Sequence, residues 1–153
     1  MAAQDRSPQP DVDDHSIIFE LGAIIDGEPD EGTVHPGATF AFEVTPIEHW
    51  LEIEVGISAV KSDGGTELPL DVLFKKPWRI SQTFEFMIGV GPELIHATGP
   101  DHATYWGVSA VLDFMFWPRK DVGWYVEPGY EGTFRDATTH HGWGVAAGLL
   151  IGR

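Results

Sequence analysis

The chain has no cysteine, which excludes disulfides, thiolate metal centres and cysteine nucleophiles. It is also short of basic residues, with nine Lys and Arg against 24 Asp and Glu and a formal net charge of -15. Phosphate backbones are bound by clustered Lys and Arg, so no nucleic-acid partner is expected. No apolar run approaches the roughly 18 residues of a transmembrane helix, but a membrane-spanning β-strand needs only about 9 to 11 and escapes that test. Gly89-Val90-Gly91-Pro92 precedes no helical pattern, so it is not a phosphate-binding loop, and no cofactor is indicated. The start, Met1-Ala2-Ala3-Gln4-Asp5, lacks the basic and apolar regions of a signal peptide. It reads as a mature terminus from which an export signal has been removed.

What the chain does have is alternation. At 153 residues it suits one domain. Residues 1–15 carry Asp5, Asp11, Asp13 and Asp14 with little apolar content and read as a flexible acidic tail. From residue 16 to 153, period-two runs recur between Gly, Pro, Asp and Lys clusters, which predicts an all-β domain. Eight strands are expected at 16–26, 34–44, 50–60, 67–76, 81–95, 103–116, 122–134 and 141–151. The connectors at 45–49, 77–80 and 117–121 are compact, whereas those at 27–33, 61–66, 97–102 and 135–140 are polar or Gly-rich. An antiparallel up-and-down meander places the first set at one end and the second at the other, as in transmembrane barrels.

Alternation alone also fits a soluble lipocalin-like barrel that holds a small apolar ligand inside. The residues on each face decide between the two. Leu51, Ile53, Val55 and Ile57 oppose Glu52, Glu54, Gly56 and Ser58; Trp143, Val145, Ala147 and Leu149 oppose Gly142, Gly144, Ala146 and Gly148. Glycine weakens a solvent-facing strand and covers nothing, but a narrow eight-stranded interior needs small residues among its charges. The polar, glycine-rich face is therefore assigned inward and the apolar face to lipid. Phe19, Trp106, Phe116, Trp124, Phe134 and Trp143 lie near strand ends on the apolar register, with Trp78 and Trp117 in turns, the arrangement of aromatic girdles.

With Trp50-Leu51-Glu52-Ile53-Glu54-Val55-Gly56, Phe84-Glu85-Phe86-Met87-Ile88-Gly89-Val90-Gly91 and the closing Gly144-Val145-Ala146-Ala147-Gly148-Leu149-Leu150-Ile151-Gly152, the chain resembles the small eight-stranded outer-membrane barrels. These include the OmpA transmembrane domain and the OmpX and OmpW families. Leu73-Phe74-Lys75-Lys76-Pro77-Trp78 looks like uncharacterised proteobacterial barrels of this kind. The resemblance, over about residues 16–151, implies the bacterial outer membrane, the lipid bilayer and the outer-membrane assembly machinery as partners, and a monomer. Such barrels end in Phe or Trp, whereas this sequence ends in Arg153.

The inward register predicts an acidic lumen containing Glu52, Glu54, Asp71, Glu85, Asp113 and Glu127, along with Glu20, Glu43, Glu93 and Glu131, with Lys75 and Arg79 as basic partners. Side chains nearly fill an eight-stranded interior, so no wide pore is expected. The lumen is either an ion-paired structural plug or a narrow, cation-favouring path for small solutes. His35, His96, His140 and His141 map to the loop end; they are weak metal candidates because no helical His-x-x-x-His spacing accompanies them. Catalysis on membrane lipid would need a Ser, a His and an acid in reach. Ser58 with His96 is the conceivable pair, nothing marks either, and the chain is not expected to be an enzyme. The membrane reading predicts that the protein needs detergent to stay in solution and migrates differently before and after boiling on a gel. Full solubility without detergent, with no heat-modifiable band, would restore the soluble barrel.

Overall fold

The computed structural model describes residues 15–29, 32–62, 64–99, 102–135 and 137–153. Eight strands follow in chain order: β1 (Ile17–Gly27), β2 (Val34–Ile47), β3 (Leu51–Ser62), β4 (Gly65–Ser81), β5 (Phe84–Thr98), β6 (Ala103–Phe116), β7 (Val122–Arg135) and β8 (Thr138–Gly152). Each pairs antiparallel with its neighbours, and β1 closes on β8. Closure gives every strand a neighbour on both sides, the condition for strands to stand in hydrocarbon.

The expected connector at 77–80 is a strand instead, and strand also covers most of those expected at 61–66 and 135–140. Residues 77–80 continue β4, with Trp78 opposite Phe86 and Arg79 opposite Glu85, and the turn to β5 falls at Gln82 and Thr83. Proline and a basic residue imitate turn chemistry here. The β3 ladder on β4 ends at Glu52 opposite Lys75, so beyond it β4 is paired on one side only, where proline costs no ladder bond. Residues 45–47 likewise lengthen β2. Of the tail expected at 1–15, residues 1–14 lie outside the described residues. Its last position, His15, is buried and stacks on Trp117 with ring centroids 4.5 Å apart, so it is part of the barrel.

The interior is polar and the exterior apolar. Glu20, Glu43, Glu52, Glu54, Lys75, Glu93 and Asp113 are buried, while Leu21, Val55, Ile57, Ile88, Val90, Trp106, Leu149 and Ile151 are exposed. A soluble lipocalin-like arrangement would reverse these faces, and that alternative is set aside. At the short-turn end the outer surface carries stacked aromatics: Phe84 on Phe116 (4.7 Å), Phe116 on Trp124 (4.0 Å), Phe19 against Phe42 (5.5 Å) and Trp78 on Phe86 (5.9 Å). At the loop end Trp106, Tyr130 and Phe134 are exposed, and Trp143 pairs with Tyr130 on the same face. Trp117, expected with the outer aromatics, turns inward and is only 3% exposed. Its parity matches Asp113 and Met115, which also point inward.

Glycines make the narrow interior possible. A Cβ on Gly89 would come within 2.9 Å of Lys75 Cγ, and one on Gly22 within 2.6 Å of the Tyr125 hydroxyl. Large interior side chains therefore lie over cross-strand positions that have no side chain.

The outward assignment predicts depth-dependent tolerance of charge. Val90→Arg, in the middle of β5, is expected to lower folding stability in lipid vesicles by about 2–4 kcal/mol, and Ile80→Arg, near the turn-end rim, by about 0–1 kcal/mol. Equilibrium urea unfolding measures both, and equal costs at the two depths would contradict the placement.

Candidate functional site in the barrel lumen

The strand registers stack the inward residues in layers along the axis. At the turn end Ile18, Met87, Met115, Trp117, Tyr125, Ala146 and Leu150 form an apolar cluster inside the barrel. Beside it Thr45, Glu48, His49, Glu52 and Glu85 border a small cavity of about 20 Å³ together with His15 and Ile18. Apolar residues at this end share the acids' parity, so alternation alone did not single them out as a plug.

Next along the axis is a layer of ions. The Lys75 ammonium donates to Asp113 Oδ2 and Glu127 Oε2, each at 2.8 Å. It also contacts Glu54 directly and lies 3.5 Å from Glu43 Oε2. Lys75, Glu43 and Asp113 have no exposed side-chain surface. Carboxylate oxygens of Glu20, Glu43, Glu54 and Asp113 lie within 4.8 Å of one another, close enough to hold a metal ion. Lys75 supplies a cation there from the chain itself, so the set is better described as an ion cluster than as an open metal site. β1, β2, β3, β4, β6 and β7 each contribute to it, which ties non-adjacent staves of the barrel together through its centre.

Beyond this layer the lumen opens. A cavity of about 70 Å³ is bordered by Asp26, Asp71, Glu93 and Glu131 above and by Glu20, Glu54, Tyr125 and Glu127 toward the ion layer. Asp71 Oδ1 accepts from the Gly56 N–H at 3.0 Å. This cavity shares Asp26, Val60 and Glu131 with a wider mouth of about 240 Å³ at the loop end, where His35, His140, Lys61 and Arg135 also stand.

The residues singled out in the sequence thus divide by level. Glu54, Asp113 and Glu127 meet Lys75. Glu52 and Glu85 lie toward the turn end, where Arg79 pairs opposite Glu85 rather than joining the Lys75 cluster. Asp71 belongs to the upper cavity. The histidines do not converge. His35 and His140 line the mouth, His96 bonds Thr104 Oγ1 at 2.9 Å, and His141 stacks on Tyr130 with centroids 5.8 Å apart. Ser58 lines the inner cavity on β3, whereas His96 is exposed on β5, and β4 lies between the two strands. The conceivable serine–histidine pair is therefore not assembled. Sequence reasoning missed His15, Trp117 and Tyr125, although Tyr125 shares the inward parity of Glu127 and Glu131.

Removing one member of a buried ion cluster leaves uncompensated charge. Lys75→Met is expected to destabilise the barrel by about 3–5 kcal/mol in urea unfolding. Adding Glu54→Gln and Asp113→Asn should return much of that loss, whereas a neutral single variant would mean that Lys75 holds nothing together.

No protein-family model matches the chain, and no curated protein matches it in sequence. Solved structures do match in shape. Neisserial surface protein A superposes with a TM-score of 0.70 at 9% identity, covering 90% of this chain and 96% of its own. The outer membrane protein OprG from Pseudomonas aeruginosa superposes with a TM-score of 0.65 at 12% identity, covering 93% and 98%. A de novo designed transmembrane β-barrel reaches 0.62 at 14% identity over 94% of this chain and 97% of its own. These identities speak to fold alone. A closed eight-stranded meander with an apolar exterior, a charged interior and these likenesses has the fold of the small outer-membrane β-barrels.

Proposed function

We propose that the chain is a monomeric, non-enzymatic barrel of the bacterial outer membrane, structural in role, with a lumen shut at the Lys75 layer. The observation that carries this reading is Lys75 itself, fully enclosed and bonded to Asp113 and Glu127 at 2.8 Å, with the apolar plug between it and the turn end. A hydrated ion crossing the barrel would have to displace that ammonium and then pass Met87, Met115 and Leu150. The outer-membrane placement is supported by the aromatic belts and by the likeness in fold to outer-membrane barrels. The monomer is supported by the closed ladder, in which every strand has two neighbours and one-sided pairing falls at strand ends such as 76–81 of β4. Insertion by the outer-membrane assembly machinery belongs to the same reading. The excess of acid on the loop side of Lys75 favours cations over anions wherever the lumen is wet.

Planar-bilayer recording tests the reading. The wild-type protein is expected to show no resolved current steps, and removing both barriers, with Lys75→Met and Asp113→Asn combined with Met87→Gly and Met115→Gly, is expected to produce small cation-selective ones. Steps of the same size in both proteins would overturn the closed lumen and favour a narrow solute pathway.

A further inference from the structure

We propose that the loop-facing half of the lumen is a binding site for a hard divalent cation such as calcium, entered from the loop end and closed below by the Lys75 layer. The proposal rests on the reading of a lumen shut at Lys75. The inner cavity of about 70 Å³ has carboxylates from Asp26, Asp71, Glu93 and Glu131 around its upper wall. Among the described residues no Lys, Arg or His lines it, and no sulfur does. The remaining polar side chains are hydroxyls, those of Thr39, Ser58 and Ser109 among them. An all-oxygen, anionic donor set selects calcium or magnesium over the metals that prefer imidazole or thiolate.

Acidic lining alone would not make a site; two further observations point to a ligand. Glu93 is only 5% exposed and its Oε2 has no hydrogen-bond partner, and Glu20, at 2% exposed, leaves Oε1 without one at the cavity floor. Buried carboxylate oxygens are ordinarily paired or bound to metal; Glu20 stands at the edge of the Lys75 cluster, whereas Glu93 has no Lys, Arg or His beside it in the cavity lining. In addition, three of the carboxylates lie over glycines on the neighbouring strand. A Cβ on Gly56 would be 2.5 Å from Asp71 Oδ1, one on Gly107 3.2 Å from Glu93 Oε2, and one on Gly142 2.5 Å from Glu131 Oε1. Side chains at those positions would push the acids aside; their absence lets the acids lie against the wall and keeps the centre open. A water needs about 10–15 Å³ of such space, so the cavity holds a cation with part of its hydration shell. The mouth, through its shared walls at Asp26 and Glu131, supplies the way in.

Calcium titration of the detergent-folded full chain, by calorimetry and by displacement of terbium whose luminescence Tyr125 would sensitise, tests the site. One saturable calcium site is expected. Glu93→Gln and Glu131→Gln, each checked for heat-modifiable migration, should weaken it by about tenfold or more, and Glu48→Gln at the opposite end should leave it unchanged. No saturable binding, or equal affinity in the folded Glu93 and Glu131 variants, would overturn the proposal. Zinc binding more tightly than calcium, and lost with His35→Ala and His140→Ala, would overturn it by moving the ligand to the mouth. Failure here, with a wild-type lumen still silent in bilayers, leaves the closed-barrel reading standing. A conducting wild type that still binds calcium through Glu93 would overturn that reading and keep the site.

Discussion

A barrel of eight strands has so little room inside that several of its longest interior side chains lie where a nearby strand carries glycine. This steric constraint governs the interior. Lys75 extends over Gly89, Tyr125 over Gly22 and Trp117 beside Gly123. The acids of the upper cavity follow the same rule. Glycine is unfavourable in a strand because it costs backbone entropy and packs nothing. Here closure of the ladder supplies the strand order that glycine does not, and the missing Cβ atoms become the volume into which charged groups fold.

Once the interior is charged, the exterior must be apolar and the charges must find partners. Lys75 meets the second requirement for carboxylates drawn from four other strands, acting as a central pin where a soluble barrel would have an apolar core. Such a cluster gives weak net stability, because desolvation offsets much of the attraction, yet losing one partner is costly. It therefore acts more on which interior arrangement the barrel adopts than on how stable the barrel is. The apolar cluster fills much of the bore between this layer and the turn end.

Much of this was legible in the sequence. Period two gave the strands, and acids sharing parity with glycine gave their orientation, because Glu52, Glu54 and Gly56 on one face leave Leu51, Ile53 and Val55 for lipid. The level of each acid along the axis was not legible, since it depends on the stagger between strands. Glu52 and Glu54 are two residues apart, yet one lies toward the turn end and the other touches Lys75. Pro77 misled for a local reason: it resembles a turn residue but sits where β4 has run past the start of β3. His15 could not be separated from the acidic tail before Gly152 and Trp117 were seen to form a slot for its ring.

The asymmetry of the lumen has an electrical consequence. On the proposed reading, solvent reaches from the loop-end mouth through the inner cavity to Lys75, while below it the apolar cluster fills most of the bore beside the small turn-end cavity. A voltage applied across the membrane falls mainly over the part that excludes water and ions, so the field concentrates over the short layer holding Met87, Met115, Trp117 and Leu150. On that reading the barrel is a cup with a thin insulating base. A group in the upper cavity would then stand at nearly the potential of the solution outside, although it lies well within the height of the barrel wall.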